Sequence, residues 1–317
     1  MINMLQSNKK GDFDFEWLFA IVAGAIILML AIYGVSKIGD AQRYTTDSGV
    51  AKQLTILTDP LQAGFADGSY GKVIFNQESR INNKCDNVGF GTNSISISTR
   101  SSVGEEWKRP GAATSTAKYI FSSNLQQGKE FYVFSKSFNM PFKVADLLFV
   151  NSKKYCFVTS SETSAIENEL NGLNMGNIEV GSRNNCSDDS IKVCFNSRCN
   201  ISIYGNCDSS GCNSVFDEGY VEKDGKRFNY VGSLMYAAIF SDYDIYNCNV
   251  KRLIYRTANI AKVYAKKADL MNSRDCNTNL QSDMEFLASV INSSDLDSVN
   301  SIAKGIELKN GELCGLY

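Results

Sequence analysis

The side chains best equipped for chemistry in this chain are its ten cysteines: Cys85, Cys156, Cys186, Cys194, Cys199, Cys207, Cys212, Cys248, Cys276 and Cys314. Thiols can pair as disulfides, ligate zinc or act as nucleophiles, and their spacing separates these uses. Cys194, Cys199, Cys207 and Cys212 run as C-x4-C-x7-C-x4-C, a set that could hold zinc. Zinc knuckles step more tightly, however, and six further cysteines would remain unexplained. An even count, all on one side of a single apolar run, predicts disulfides in an oxidising compartment. The sequence contains no histidine, which excludes Ser-His-Asp triads, Cys-His dyads and histidine-ligated metals. A histidine-free hydrolase would need a carboxylate pair or a Ser-Lys arrangement, and no spacing marks either. A membrane-tethered enzyme of that kind is the second alternative. The expectation is a non-enzymatic protein with no catalytic residue, cofactor or metal.

These cysteines are organised around Trp17–Val35, WLFAIVAGAIILMLAIYGV, a run without charge between Glu16 and Lys37. At helical rise it is about 28 Å long, enough for the ~30 Å hydrocarbon core of a bilayer. The predicted organisation is a cytoplasmic tail over 1–16, a transmembrane helix over 17–36 and a helical stalk over 37–59. A β-rich ectodomain over 60–235 and a helical region packed on it over 236–317 complete the chain. Lys9 and Lys10 precede the span and Lys37 and Arg43 follow it, so charge bias is a weak guide. The cysteines decide the orientation, with the N-terminus cytoplasmic and the large domain extracytoplasmic. With 32 basic and 34 acidic side chains the net charge is -2, and no basic footprint points to nucleic acid. The predicted partners are the lipid bilayer and other surface proteins or copies of the same chain.

Short segments rich in β-branched and aromatic residues follow: Lys72–Asn76, Ser94–Thr99, Lys118–Ser122, Phe131–Lys136, Phe142–Val150 and Lys154–Thr159. Their spacing predicts an antiparallel sheet. Phe131 to Val150, the most apolar part of the domain, is the predicted core. Between strands, Ser101 to Pro110 forms a loop around Trp107. That ring is either a carbohydrate or partner contact or a side chain folded back on the sheet. Ser161 to Leu173 reads as a helix, and further strands are predicted near 177–180, 191–195 and 200–204. Asn185, Asn200 and Asn292 stand in N-x-S triplets and are candidate glycosylation sites.

The last third turns helical. Ser241 or Asp242 can cap a long helix with Tyr246, Val250, Leu253, Thr257, Ala261, Ala268 and Met271 on its apolar stripe. Lys251, Arg252, Arg256, Lys262, Lys266 and Lys267 are assigned to its solvated face, with anionic lipid or glycan contact as the alternative. Two shorter helices follow, over Leu280–Ile291 and Leu296–Ile306. Along a continuous long helix Cys248 and Cys276 would lie about 42 Å apart. They cannot pair, which leaves Cys314 to close on one of them.

Lys10-Gly11, then Glu16 and the apolar run, resemble the processing site of type IV pilins. In that family a peptidase cuts after the glycine, and the glutamate at the fifth mature position pairs with a neighbouring subunit. The resemblance implies Gly11 as cleavage site and Glu16 as assembly residue, in a filament subunit; Asp12 and Asp14 depart from the usual apolar start. Over most of its length the chain also resembles a family of membrane-anchored proteins from small-genome archaea. The resembling stretches are FDFEWLFAIVAGAIILMLAIYGV, GEEWKRPG, FNMPFKVADLLFV, YAAIFSDYDIYNCNVKRLIYR, CNTNL and CGLY. That likeness implies an anchored, cysteine-bearing ectodomain and brings no activity, ligand or catalytic residue with it. The predicted class is therefore α+β and disulfide-stabilised, with a structural, adhesive or partner-binding role at the cell surface.

Overall fold

The computed structural model describes residues 19, 21–33, 70–100, 107, 111–208, 211–212, 215–274, 276, 278–293, 295–310 and 314–317. The chain divides into two units, Met1–Thr46 and Asp47–Tyr317. In the first, residues 21–33 form helix α1. Its apolar side chains, including Ile26, Ile27, Leu28, Met29 and Leu30, are exposed. Among the described residues no helix is long and apolar enough to cross a membrane. The cytoplasmic tail, the stalk, Gly11, Glu16 and the ends of the expected span all lie outside the described residues.

The second unit is mixed α+β. Strands β1 (Tyr70–Asp86), β2 (Thr92–Thr99), β3 (Gly111–Ser115), β4 (Tyr119–Phe121), β5 (Leu125–Asn139) and β6 (Lys143–Asn151) build one sheet in the order β3-β2-β1-β5-β6-β4. Its pairs are antiparallel except β4 with β6. Period-two geometry explains the dense apolar run in β5 and β6. Phe134, Leu147 and Phe149 face the main core, while Phe131, Val133, Leu148 and Val150 form a second cluster with Ile81, Ile95 and Ile97. This sheet is buried on both faces, so both alternate sets must be apolar.

The second sheet contains β7 (Tyr155–Val158), β8 (Ile178–Gly181), β9 (Ile191–Phe195), β10 (Ile201–Gly205), β13 (Glu218–Lys223) and β14 (Lys226–Val231), ordered β14-β13-β10-β9-β7-β8. Here the antiparallel expectation is corrected, because β8, β7, β9 and β10 are mutually parallel. Helix α2 (Ser164–Leu173) supplies the return from β7 to β8. From β9 to β10 the chain returns in only five residues. Asn196, at φ 49°, starts that reversal. Two short strands, β11 (Cys207–Asp208) and β12 (Gly211–Cys212), pair antiparallel with Cys207 opposite Cys212.

The helical region begins earlier than expected, at α3 (Leu234–Phe240), whose seven residues are all buried. Asp242 stands at the N-cap position of α4 (Tyr243–Asn272), and α5 (Gln281–Ser289) and α6 (Leu296–Lys309) follow. Most of the anticipated stripe of α4 is buried, including Tyr246, Leu253, Thr257 and Ala268, while Ile260, Tyr264 and Met271 are half-buried against the core. Arg252 is a correction: assigned to solvent from its charge, it is fully buried. Its helical position, three residues after buried Asn249 and one before Leu253, aims it at the β1–β2 connection. There Nε donates to the Phe90 carbonyl at 2.9 Å, Nη1 to Asn249 Oδ1 at 2.7 Å and to Asn93 Oδ1, and Nη2 to the Thr116 carbonyl at 3.1 Å. The Tyr119 ring lies 4.6 Å away. Gly91 makes this approach possible. It sits at φ +59°, and a Cβ there would lie 2.9 Å from the Arg252 side chain and 2.0 Å from the Asp86 carbonyl.

Among the described residues four disulfides join these elements: Cys85–Cys248, Cys156–Cys186, Cys194–Cys199 and Cys276–Cys314. Cys248 and Cys276 thus have separate partners, as the length of α4 requires. The Cys314 bond anchors the C-terminus, where Leu316 is buried in the main core and the Tyr317 ring meets those of Phe142 and Tyr264.

Candidate functional site

A cleft of about 390 Å³ opens where β5, α2 and α3 meet. Each wall has a local origin. Lys136 follows Phe134 on the core-facing side of β5, near the end of its buried run. On α2, Ile166, Leu170 and Leu173 pack inward at three-four spacing, which leaves Glu169 at the rim. Glu162 lies in the turn Ser161–Thr163, where the Thr163 hydroxyl accepts from the Ser160 amide at 2.8 Å. Helix α3 is fastened at its start by the Ser233 hydroxyl, which donates to the Ser137 carbonyl at 2.9 Å. That contact sets Tyr236 into the floor.

Lys136 and Glu169 form an ion pair, and the Lys136 ammonium stands 5.2 Å from the centre of the Tyr236 ring. Tyr236 is 2% exposed, and its hydroxyl lies beside the Glu169 carboxylate. Burial, reinforced by the negative charge of Glu169, pushes this phenol well above the ordinary tyrosine range. It is therefore a neutral donor with the Glu169 carboxylate as its nearby acceptor. Glu162, Glu169 and Asp217 outnumber Lys136, while Ile166, Phe216 and Met235 supply apolar walls. Such a lining suits a cation carried on an apolar stem, with the carboxylates on its charge and an aromatic ring beneath it.

The residues singled out in the sequence lie elsewhere. Trp107 forms an antiparallel bridge with Arg100, and the Arg80 guanidinium stacks 3.8 Å from its ring centre. It is thus folded back on β1. Asn185, Asn200 and Asn292 are all exposed. The Asn200 side chain accepts from the Lys192 amide at 3.0 Å, and Ser187 of the Asn185 triplet donates to Glu179. The four-thiolate zinc arrangement is broken up, because Cys194 is bonded to Cys199. Among the described residues no cluster of His, Cys, Asp and Glu could hold a metal ion.

The cleft itself escaped sequence reasoning. Lys136, Glu162, Asp217 and Tyr236 belong to separate elements with no shared motif, and only the fold assembles them. Comparison with known protein families, with curated proteins and with solved structures returns no match.

Proposed function

We propose that this chain is a membrane-anchored, extracytoplasmic binding protein, in which the apolar run around α1 is the anchor and the α+β domain presents the acidic cleft to a partner. The observation that carries this reading is the disulfide framework. Its bonds tie strand to helix, strand to turn and the α4–α5 connection to the C-terminus, and such a network persists where thiols stay oxidised. The exposed apolar faces of α1 support the anchor. The acidic and apolar lining of the cleft favours binding.

Native protein should remain in membranes through alkaline carbonate extraction and take up no thiol reagent until it is reduced. Replacing Ile26 and Ile27 with Asp, at about 2.5–3.5 kcal/mol per charge near mid-bilayer, should release it from the membrane fraction or block its export. Unchanged integration of that variant, or freely reactive cysteines throughout the native protein, would overturn the reading. Intact mass from the same preparation addresses the pilin-like alternative, which requires an N-terminus at Asp12 and its loss in Gly11→Val.

A further inference from the structure

The outer face of the second sheet carries two disulfides with an arginine between them. Register pairs Cys156 with Lys192 and Val158 with Cys194. Cys156 and Cys194 therefore sit on the same face of adjoining strands, one step apart. Cys156 is bonded to Cys186, which directly follows the turn Arg183–Asn185. That bond fastens Arg183 over the second disulfide. Arg183 Nη2 lies 2.9 Å from Cys199 Sγ and 3.5 Å from Cys194 Sγ, and it donates to the Arg198 carbonyl at 2.7 Å. The two sulfurs differ in access: Cys194 is 1% exposed, whereas Cys199 is half-buried and lines an open hollow with the basic Arg198, Lys226 and Arg227 and the acidic Glu222 and Asp224. The surroundings of two other bridges are of opposite character. Cys85 Sγ meets Asn249 Oδ1 at 3.6 Å, and Cys186 Sγ meets the Ser182 carbonyl at 3.8 Å.

We propose that Cys194–Cys199 is a thiol–disulfide exchange site for a dithiol reductant, with Arg183 as its positioning residue. The thiolate of the reductant attacks Cys199 Sγ, the accessible sulfur. A new sulfur–sulfur bond forms there as the Cys194–Cys199 bond breaks, and Cys194 leaves as a thiolate beside the guanidinium. The second thiol of the reductant, as its thiolate, then attacks the reductant's own sulfur in the mixed disulfide. This releases Cys199 as a thiolate 2.9 Å from Arg183 Nη2. Two electrons pass from the dithiol to the cystine and its two protons go to solvent or to the new thiolates. The reductant ends as a disulfide. A fixed positive charge favours both thiolates, which makes them better leaving groups and the bond easier to reduce. The amide oxygen at Cys85 and the carbonyl at Cys186 offer those two bridges no such help. The bond is also the clasp of the short return from β9 to β10, so its opening frees that return without cutting the links between sheets and helices.

The test is graded reduction of the folded protein with dithiothreitol, followed by acid quench, alkylation and peptide mass mapping. Cys194 and Cys199 should become alkylated at reductant concentrations about tenfold below those that open Cys156–Cys186 or Cys85–Cys248, with the circular dichroism of the fold retained. The alkylation rate of reduced Cys199 should reach half its maximum below the ordinary thiol pKa of about 8.5. Arg183→Met should move that midpoint upward and abolish the tenfold gap, and Arg183→Lys should restore part of both. Reduction of all bridges together, or only on unfolding, would overturn the proposal, as would a pH midpoint indifferent to Arg183. If Arg183→Met does not fold, the pH profile of the wild-type thiol decides alone: a midpoint at or above the ordinary value rejects the site.

Discussion

Arg252 shows how much a single residue can hide from a sequence reader. Its charge, within the run Lys251-Arg252, argues for solvent, while its place on the helix beside Asn249 and Leu253 argues for the core. Geometry prevails because the β1–β2 connection offers what a guanidinium needs. Backbone carbonyls of Phe90 and Thr116 and the amides of Asn93 and Asn249 accept its protons in a planar fork. Burial still pulls its pKa below the usual arginine value. Removing the guanidinium would leave those neutral acceptors unpaired, so Arg252→Met should cost about 1–3 kcal/mol. Arg252→Lys should recover little, since an ammonium cannot span the fork. Equilibrium denaturation would show this as a lower midpoint at unchanged slope. A loss under ~1 kcal/mol for Arg252→Met, the size of an exposed contact, would mean that the buried network is dispensable.

Elements were legible where a period repeated over enough residues. The apolar stripe of α4, the alternation Ser94-Ile95-Ser96-Ile97-Ser98 and the dense run of β5 and β6 all carried their structures openly. Helix α3 did not, because a seven-residue segment buried on every side has no polar face to mark its period. The parallel pairing of β9 with β10 was equally hidden, since parallel neighbours ordinarily need a crossover of a dozen residues or more. One junction between elements also sets a pH dependence. Glu218, at the start of β13, accepts from Lys304 and Asn300 of α6, and from Asn206. Its bond to Lys304 holds its pKa below the usual carboxylate value. A carboxyl lowered by folding stabilises fully above its unfolded pKa of about 4.3, and that contribution fades as pH falls through the folded value. Asp297 in the first turn of α6 runs the other way, raised by burial and by Asp295, so the wild type alone would mix two signs. The useful quantity is a difference: below pH 4 the hydrogen-exchange protection of α6 in wild type should approach that of Glu218→Gln. Near neutrality it should exceed the variant's about threefold, the scale of a partly exposed pair. A constant difference across that range would assign Glu218 no part in acid loosening.

At the scale of the molecule, the α+β class and the use of the cysteines as disulfides were legible in the sequence, but most of the pairings and the cleft were not. A covalent pattern and a helical period are written locally, whereas Lys136, Glu162, Glu169, Asp217 and Tyr236 meet through the placement of β5, α2 and α3. If the cleft binds as proposed, its excess of carboxylates over one lysine, above apolar walls, suits a lysine-like guest: a positive head for Glu162 and Asp217 and a hydrocarbon stem for Phe216 and Met235. Acetylating the guest's amine keeps the stem and deletes the charge, which makes the pair a direct probe. A short lysine-bearing peptide titrated into the folded protein by calorimetry should bind about tenfold more tightly than its acetyl-lysine counterpart, a difference of about 1.4 kcal/mol. The gap should narrow as salt rises from 0.01 to 0.15 M, because exposed charges are screened over a Debye length that falls from about 30 to 8 Å. Asp217→Asn with Glu162→Gln should bring the two peptides to equal affinity with the circular dichroism of the fold retained, since both residues are exposed at the rim. Equal binding of both peptides to the wild type, or a gap that survives the double substitution, would show that the acidic rim does not choose the guest.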